Sequence, residues 1–535
     1  MKPTVVFRGR VEEPEAFFER YQRAASALHA LGVGDGDVVA LMLRNGPAML
    51  ELMLATRWIG ALWCPINWHL KTDEVRQILA DSGARVFIAH ADLLAGLDGL
   101  DLQTVRTFGV APEGGMPNRT PVDAPAATAA GTAADARLDA ERGVLLRDAD
   151  RSLADRSPPP CWEAFRDAEP RAPMEPRPPR GAMFFTSGTT GRPKGIRRDP
   201  ATPEQVAHAR QVLRHVSGFE PGMRALVSAP LYHSAPNSYS IGASMENATL
   251  YIEPRFDAEA TLRLIERHRI THAYLVPTMF VRLLRLPDLV RARYDIGSIR
   301  FVASTGSPCA PQVKRAMIEW WGPVIHEAYG ASELGYMTRL DSAEALRKPG
   351  SAGRALPGVV LKILDNAGRE LPRGKAGLIY IGQPAYSDFT YAGNTEARRR
   401  MERDGLLTMG DVGYVDEDGF LFIVDRSADM VISGGVNIYP AEIEAVLQLM
   451  PGVADCAVFG IPDAEFGEAL LAAVQPAAGV RLDQESVRTY LAARLAGFKV
   501  PPRVVFHVEM PREDTGKIFK RKLREPYWQR ANRRI

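Results

Sequence analysis

Runs of hydrophobic residues alternate with amphipathic stretches along most of the chain. Residues 38–43 (VVALML) form a continuous apolar run typical of a buried strand, and the apolar residues between 48 and 58 recur at helical spacing. The same alternation returns at 225–228, 249–252, 258–269, 272–276, 299–303 and 311–321. Strands that alternate with helices predict a layered α/β fold with mostly parallel sheet. In such sheets ligands bind where loops leave the carboxyl ends of the strands.

Two changes in composition indicate how the chain is divided. Residues 112–180 are rich in Ala, Pro, Gly, Asp and Arg, so we predict a surface insertion, much of it flexible. After about residue 425 the pattern becomes that of a compact α+β unit, with predicted elements at 441–449, 453–459, 470–474, 484–496 and 503–508. We therefore predict a large N-terminal domain of layered α/β subdomains, residues 1–425, and a small mobile C-terminal domain, residues 426–535.

The bulk composition is that of an ordinary globular enzyme. The net charge of +2 gives no reason to expect nucleic acid or an anionic membrane as a partner. No run of about 18 apolar residues predicts a membrane-spanning helix. The four cysteines show no CxxC spacing, which predicts free thiols in a reducing cytoplasm. We interpret the basic stretch 520–524 as a solvated face, and the sequence leaves the oligomeric state open.

The segment 186–195 (TSGTTGRPKG) narrows the chemistry most. It follows the apolar run at 183–185 and combines glycines, short hydroxyl side chains and two cations, Arg192 and Lys194. Glycine lets the backbone approach a ligand closely, and the N–H groups and cations suit a polyphosphate. The spacing is not that of a Walker A loop, because two residues separate Lys194 from the preceding glycine. A generic flexible linker is the alternative interpretation.

Four further segments carry polar residues suited to ligand binding, and the first two follow predicted strands: PLYHSA at 230–235, STGSP at 304–308, YGASE at 329–333 and TMGD at 408–411. In the third segment Tyr329 offers an aromatic face, Ser332 a small donor, and Glu333 a hard oxygen ligand for a hard cation. The alternative interpretation of His233 is a histidine at a strand end whose hydrogen bonds are made within the fold. The alternative interpretation of Glu333 is a surface glutamate after a turn.

Three more segments lie at or beyond the change in composition: DRSAD at 425–429, SGGVNIYP at 433–440 and PREDTGK at 511–517. Lys517 follows a glycine near the end of the chain. A compact ammonium on a flexible stem at such a position can approach an anion and withdraw again.

In their order along the chain these segments resemble the motifs of the adenylate-forming superfamily, which includes acyl-CoA synthetases, peptide-synthetase adenylation domains and beetle-type luciferases. The resemblance runs from about residue 10 to residue 525, except for the insertion. It implies that the phosphates of ATP are bound by Thr186, Ser187, Gly188, Thr189, Thr190, Gly191 and Lys194. It also implies nucleotide contacts from Gly306, Ser307, Pro308, Tyr329, Gly330, Ser332, Asp411 and Arg426.

The same resemblance implies individual roles, with Tyr329 over adenine and Asp411 accepting hydrogen bonds from the ribose hydroxyls. It implies that Gly434 and Gly435 approach the pantetheine arm of coenzyme A. The hinge between the domains, Asp or Lys in relatives, is Ala428 here, which still permits backbone rotation. Catalytic roles are implied for Lys517 (bridging the substrate carboxylate and the α-phosphate), Glu333 (the Mg²⁺ ligand), Lys194 and His233 (a wall of the acyl pocket).

The resemblance therefore implies a two-step ligase. The carboxylate of an acid attacks the α-phosphorus of MgATP, giving acyl-AMP and pyrophosphate, and coenzyme A then takes the acyl group as a thioester. Coenzyme A is favoured because the chain ends soon after Lys517, without a carrier domain. The alternatives are an acyl-AMP ligase that loads a separate carrier protein, a luciferase-like oxidation, and an inactive homologue that binds AMP or an acid.

The acid is only partly indicated by the sequence. Asn237, Ser238 and Tyr239 are polar residues near one predicted wall, and we expect room beside Gly242 and Ala243. This mixture suits a medium-chain, aromatic or alicyclic acid better than acetate.

Overall fold

The computed structural model of the protein describes residues 1–100, 105–111, 159–171, 175–186, 194–426, 429–433, 436–463, 465–512 and 518–530. The predicted hinge Ala428 and most of the predicted insertion lie outside these ranges. The predicted site residues that also lie outside them are Ser187, Gly188, Thr189, Thr190, Gly191, Gly434, Gly435 and Lys517.

The largest sheet of the described residues has nine strands and carries most of the fold. Its inner strands are parallel, as the alternating pattern predicts, and antiparallel strands close it at both edges. In spatial order the strands are Arg354–Ala355, Gly335–Leu340, Ile325–Ala331, Phe301–Ser304, His272–Tyr274, Arg224–Val227, Thr249–Ile252, Thr4–Phe7 and Arg10–Glu12.

A second, fully parallel sheet has the strand order Leu62–Pro65, Val38–Met42, Val86–His90 and Arg106–Val110. Two antiparallel sheets complete the large part of the chain. One consists of Glu402–Arg403, Leu406–Leu407, Gly377–Gly382, Asp411–Val415, Leu421–Arg426 and Val360–Leu364, and the other of Phe389–Tyr391, Lys194–Arg198 and Phe185–Thr186. The prediction of an α/β fold with mostly parallel main sheets is confirmed.

Helices cover the sheets, and local sequence signals set their ends. In the helix Pro203–Ser217 the Thr202 hydroxyl accepts a hydrogen bond from Gln205 N (3.2 Å), and Gly218 ends the helix with a φ of 67°. Among the described residues of this part the helices are Pro14–Ala30, Pro47–Trp58, Thr72–Ser82, Ala91–Leu94, Trp162–Ala168, Pro203–Ser217, Ser234–Met245, Ala258–His268, Pro277–Leu284, Asp288–Arg291, Pro311–Trp321, Ser342–Arg347 and Thr395–Arg399. In the part of the chain that the structure covers, no helix is both long and apolar enough to cross a bilayer.

The last hundred residues form the expected α+β unit. Its strands are Val431–Ser433, Val436–Ile438, Val453–Asp463, Gly467–Pro476 and Arg503–Phe506, and its helices are Pro440–Leu447, Gln484–Ala492 and Lys520–Arg530. The unit contacts the end of the large part, where Asp425 Oδ2 accepts a hydrogen bond from Ala441 N (3.0 Å). The boundary at residue 425 stays a prediction.

The segment 159–171, inside the predicted insertion 112–180, packs against the N-terminal helices. Trp162 is fully buried and donates a hydrogen bond from Nε1 to Glu51 Oε1 (3.0 Å). Arg166 donates to Glu51 Oε2 (2.9 Å), and Arg20 donates to the same oxygen (2.5 Å). This buried carboxylate fastens the segment to the N-terminal helices, although the surrounding composition is poor in apolar residues.

The basic stretch 520–524 is not simply a solvated face, because its first residue is only partly exposed. The ammonium of Lys520 forms an ion pair with Glu444 (2.8 Å) inside the C-terminal unit. Burial acts to lower the pKa of Lys520, but the nearby Glu444 carboxylate outweighs it, so the pKa is raised. Lys520 therefore joins the C-terminal helix to the helix Pro440–Leu447.

Candidate active site

A cleft of about 3450 Å³ runs between the carboxyl ends of the main sheet and the C-terminal unit. Loops that leave parallel strands open into it, as expected for sheets of this kind. All of the predicted site residues that fall within the described ranges line this one cleft: Thr186, Lys194, His233, Gly306, Ser307, Pro308, Tyr329, Gly330, Ser332, Glu333, Asp411 and Arg426. The structure therefore brings together residues that are as much as 240 positions apart, from Thr186 to Arg426.

Glu333 lies almost buried in the cleft, with 6% of its surface exposed. Its Oε1 accepts hydrogen bonds from Tyr391 Oη (3.0 Å) and from Thr186 Oγ1 (3.4 Å). Burial and the adjacent Glu333 carboxylate raise the pKa of Tyr391, so the phenol stays a donor. Among the described residues Glu333 Oε2 has no hydrogen-bond partner, so this oxygen is available to a ligand.

Tyr391 was not predicted from the sequence, yet it connects two of the predicted residues. The ammonium of Lys194 lies 5.2 Å from the centre of its ring, within cation–π range. The strand Phe389–Tyr391 pairs with Lys194–Arg198, which brings the ring beside the end of the glycine-rich loop. No carboxylate of the described residues forms an ion pair with Lys194, so its charge is left for an anion.

Arg198 is a second residue that the sequence did not single out. Its guanidinium donates to the backbone oxygens of Glu333 (2.7 Å) and Ser332 (3.1 Å), and it also donates to Ser387 O (2.9 Å). Ser332 Oγ is in turn 2.8 Å from Ser234 Oγ. Arg198 therefore positions the backbone that carries Glu333, because its guanidinium hydrogen-bonds to backbone oxygens.

Asp411 is held by two neighbours at the other side of the cleft. Tyr329 Oη donates to Asp411 Oδ2 (2.5 Å), and Arg426 Nε donates to Oδ1 (3.2 Å). Burial, and then the nearby Asp411 carboxylate, raise the pKa of Tyr329. Each carboxylate oxygen has two lone pairs, so Asp411 can accept further hydrogen bonds from a diol while it stays anchored.

Gly330 permits this arrangement for a steric reason. A Cβ at this position would lie 2.6 Å from the backbone oxygen of Gly335, on the adjacent strand. The strand register shifts between Tyr329 and Gly330, so the chain bends where it enters the cleft. Gly306, in contrast, has a φ of 96° with open space beside it, so there the backbone conformation itself requires glycine.

His233 immediately precedes the helix Ser234–Met245 and lies in the cleft wall, with its ring 4.5 Å from that of Tyr232. Asn237, on the first turns of the helix, is committed to the fold: its side chain accepts from Trp63 Nε1 (3.1 Å) and donates to Leu231 O (2.8 Å). This leaves little of its hydrogen-bonding capacity for a substrate.

The expected room beside Gly242 is not available to a ligand. The ring of Phe219 fills it, since a Cβ on Gly242 would lie 2.2 Å from that ring. Tyr239 is fully buried against the same phenylalanine, with ring centres 5.1 Å apart, and Ala243 is buried as well. This face of the helix therefore belongs to the core, and another face lines the cleft.

The cleft fits Mg²⁺ only together with a nucleotide. No three His, Cys, Asp or Glu side chains of the described residues gather as a metal site. Mg²⁺ commonly takes one or two protein carboxylates and completes its shell with phosphate oxygens and water. Glu333, with one anchored and one available oxygen, suits that pattern.

Known proteins resemble the chain over nearly its whole length. The family described as "AMP-binding enzyme" matches residues 14–388, and "AMP-binding enzyme C-terminal domain" matches residues 442–517. The chain is 33% identical over 516 residues to an indoleacetate–CoA ligase of Aromatoleum aromaticum, which covers 94% of this chain and 91% of that protein. It is 30% identical over 540 residues to the fatty acid–[acyl-carrier-protein] ligase ScoC of Streptomyces coeruleorubidus, at 100% and 95% coverage.

A solved structure agrees with these sequence relatives. The crystal structure of ATP-bound MatB from Rhodopseudomonas palustris superimposes with a TM-score of 0.81 at 28% identity, covering 98% of this chain and 96% of that one. Both regions of the chain are therefore matched, and the first match includes the cleft segments from Thr186 to Glu333. The chain belongs to the AMP-binding enzymes of the adenylate-forming superfamily, the group that contains the acyl-CoA synthetases.

Proposed function

We propose that this protein is an AMP-forming acid–CoA ligase. The observation that carries the proposal is the convergence of twelve predicted site residues on one cleft, with Glu333 and Asp411 each anchored by two protein donors. The substrates are ATP, a carboxylic acid and coenzyme A. The sequence relatives include CoA ligases of aromatic and fatty acids, which supports the same class of reaction here.

In the first step a carboxylate oxygen attacks the α-phosphorus of ATP, the bond to the β-phosphate breaks, and pyrophosphate leaves. Lys194 and the loop from Thr186 to Gly191 hold the phosphates, while Tyr329 and the loop Gly306–Pro308 bind adenine and Asp411 binds the ribose. Glu333 would hold Mg²⁺, whose positive charge would offset the charge of the phosphates. Positioning of two anions contributes about 7–11 kcal/mol to such reactions in favourable cases.

Lys517 completes this step in the proposal, by bridging the acid carboxylate and the α-phosphate. It belongs to the C-terminal domain, residues 426–535, which we propose to move relative to residues 1–425. After rotation about Ala428 the segment with Gly434 and Gly435 faces the pantetheine arm. The thiol sulfur of coenzyme A then attacks the acyl carbonyl and AMP leaves, so the protein needs no nucleophile of its own.

The acceptor of the acyl group has one competing candidate. The similarity to ScoC over the whole chain supports a ligase that loads a carrier protein in place of coenzyme A. Both candidates share the first step, so only the second step separates them.

The first test is ATP–pyrophosphate exchange with a panel of carboxylic acids, followed by addition of coenzyme A. Exchange followed by a thioester is the expected result. Exchange without a thioester would favour a carrier protein as acceptor, and absence of exchange with every acid would favour an inactive binding homologue.

We also propose that the protein acts in the cytoplasm. All four cysteines are free thiols, and Cys64, Cys309 and Cys456 are buried. This supports a reducing compartment, where such thiols persist. Immunoblotting of separated cell fractions is the measurement that checks it.

A further inference from the structure

A groove leads away from His233 between two helices. The helix Ser234–Met245 presents to the cleft three side chains at helical spacing, Ser238, Ile241 and Met245. The helix Pro203–Ser217 faces it with Val206, Ala209, Arg210 and Leu213. Its walls are therefore mostly apolar, and the groove is shaped for the hydrocarbon body of a substrate acid.

The groove is long compared with a small acid. His233 and Met245 are twelve residues apart along the helix, which corresponds to roughly 18 Å at the rise of an α-helix. A substrate whose reacting carboxylate lies near His233 therefore needs an extended body to reach Met245.

The far end of the groove carries a cation, Arg57, that has no acidic partner among the described residues. Arg57 lines the cleft, and its Nη2 is 3.9 Å from Met245 Sδ. No carboxylate of the described residues pairs with it, and burial lowers its pKa to about 10. Arg210 and Arg214, at the same end, both donate to the carboxylate of Glu246, so each of them, unlike Arg57, has an acidic partner.

A purely structural role for Arg57 explains only part of its position in the molecule. It stands in the last turn of the helix Pro47–Trp58, where a cation interacts favourably with the helix dipole. That role needs no contact with the cleft, whereas Arg57 lines the cleft beside Met245. An anionic ligand at this place would account for that position.

We propose that Arg57 binds a second, distal carboxylate of the substrate, so that the enzyme activates dicarboxylic acids whose two carboxylates are separated by a long apolar body. The reacting carboxylate lies near His233, the apolar body lies between the two helices, and the distal carboxylate pairs with Arg57. This inference rests on the proposed function, because it names the substrate class of the same site.

The test compares straight-chain diacids and monocarboxylic acids of equal carbon number, roughly ten to sixteen carbons to match the groove. Wild-type protein is expected to adenylate the diacids with the higher kcat/KM. Arg57→Met should lower kcat/KM for the diacids by about 10- to 100-fold, the effect of losing a charged hydrogen bond, and leave the monocarboxylic acids unchanged. Arg57→Lys, which keeps the charge, should recover part of the loss.

Arg214→Met is the matched control. It removes a cation from the same end of the groove, but Arg214 is not among the described residues that line the cleft, so the diacid preference should remain. Equal losses for both kinds of acid in Arg57→Met, or no preference for diacids in wild-type protein, would overturn the proposal.

A binding measurement separates this proposal from the proposed function. Calorimetric titration of the same diacid and monocarboxylic acid, with wild-type protein and the Arg57 variants, needs no turnover. If no acid supports exchange but diacid binding depends on Arg57, the proposed function fails and the distal site stands. If acids are activated but diacids bind no better than monocarboxylic acids, the distal site fails alone.

Discussion

The two ends of the cleft differ in how their charged side chains are paired with other residues. At the end proposed for the nucleotide, Glu333 is held by Tyr391 and Thr186, and Asp411 is held by Tyr329 and Arg426. At the far end of the groove, Arg57 donates to the thioether of Met245, and no carboxylate of the described residues pairs with it. Groups that would bind the same nucleotide in every turnover are fixed beforehand by the protein, whereas the group facing the variable substrate is left uncompensated. The following predictions test this difference, from the largest expected effect to the smallest.

Lys517→Ala should remove the cation that is proposed to bridge the acid carboxylate and the α-phosphate, between the two ends of the cleft. We expect adenylation to fall by about 10³-fold, because charge that develops on the α-phosphate loses its stabilising cation. Supplied acyl-AMP and coenzyme A should still yield thioester. Exchange and thioester assays on the separate half-reactions measure both effects.

Lys499→Ala is the control for that variant, since this lysine of the same unit is already paired with Glu442 (2.6 Å). Loss of both half-reactions in Lys517→Ala would contradict the role proposed for it in the first step alone.

Glu51→Gln examines a buried carboxylate that lies outside the cleft. Its partners Arg20 and Arg166 would lose the charge that compensates them, so we expect the free energy of unfolding to drop by about 3 kcal/mol. The KM for ATP should not change. Denaturant unfolding and steady-state kinetics check the two statements, and a changed KM would show that the segment 159–171 also acts on the cleft.

Glu333→Gln should lower activity without lowering stability, the reverse of what we expect for Glu51→Gln. We expect kcat for adenylation to fall by about 10²-fold, since an amide oxygen is a weaker ligand for a hard cation. The melting temperature should stay the same or rise, because charges gathered for function commonly reduce stability. If this variant were as unstable as Glu51→Gln, Glu333 would belong to the framework of the fold rather than to the site.

Tyr391→Phe removes one of the two donors that hold Glu333. A hydrogen bond to a charged group of this kind corresponds to about a 10-fold loss of kcat, smaller than removal of the carboxylate itself. Tyr414→Phe is the matched control, because Tyr414 lines the cleft and stacks on Phe422 without contacting Glu333. Equal losses in both variants would show that Tyr391 does not position the carboxylate.

The sequence predicted those parts of the molecule that depend on local patterns. The strand at 38–43 and the helices at 258–269 and 311–321 are found as Val38–Met42, Ala258–His268 and Pro311–Trp321, within one or two residues. Apolar periodicity and capping residues determine such elements, and both can be read from one segment at a time.

Residues that act through distant pairing could not be predicted. Tyr391 reaches Glu333 only because its strand pairs with the strand of Lys194, and Arg198 reaches Glu333 O from that same strand. Neither belongs to a motif that marks it within its own segment. The burial of Trp162 could not be predicted for another reason. It lies in a stretch whose composition resembles a flexible insertion, and its buried partner Glu51 is more than a hundred residues away.

The pairing of Phe185–Thr186 with Lys194–Arg198 constrains how the loop between them can vary. Thr186 lies opposite Lys194, so the intervening residues must leave and re-enter one ladder at fixed positions. Side chains alternate between the two faces of a strand, and a slip of one residue would turn Lys194 away from Tyr391. Any insertion or deletion between residues 187 and 193 therefore has to leave the pairing of Thr186 with Lys194 unchanged if the ammonium is to stay beside the ring.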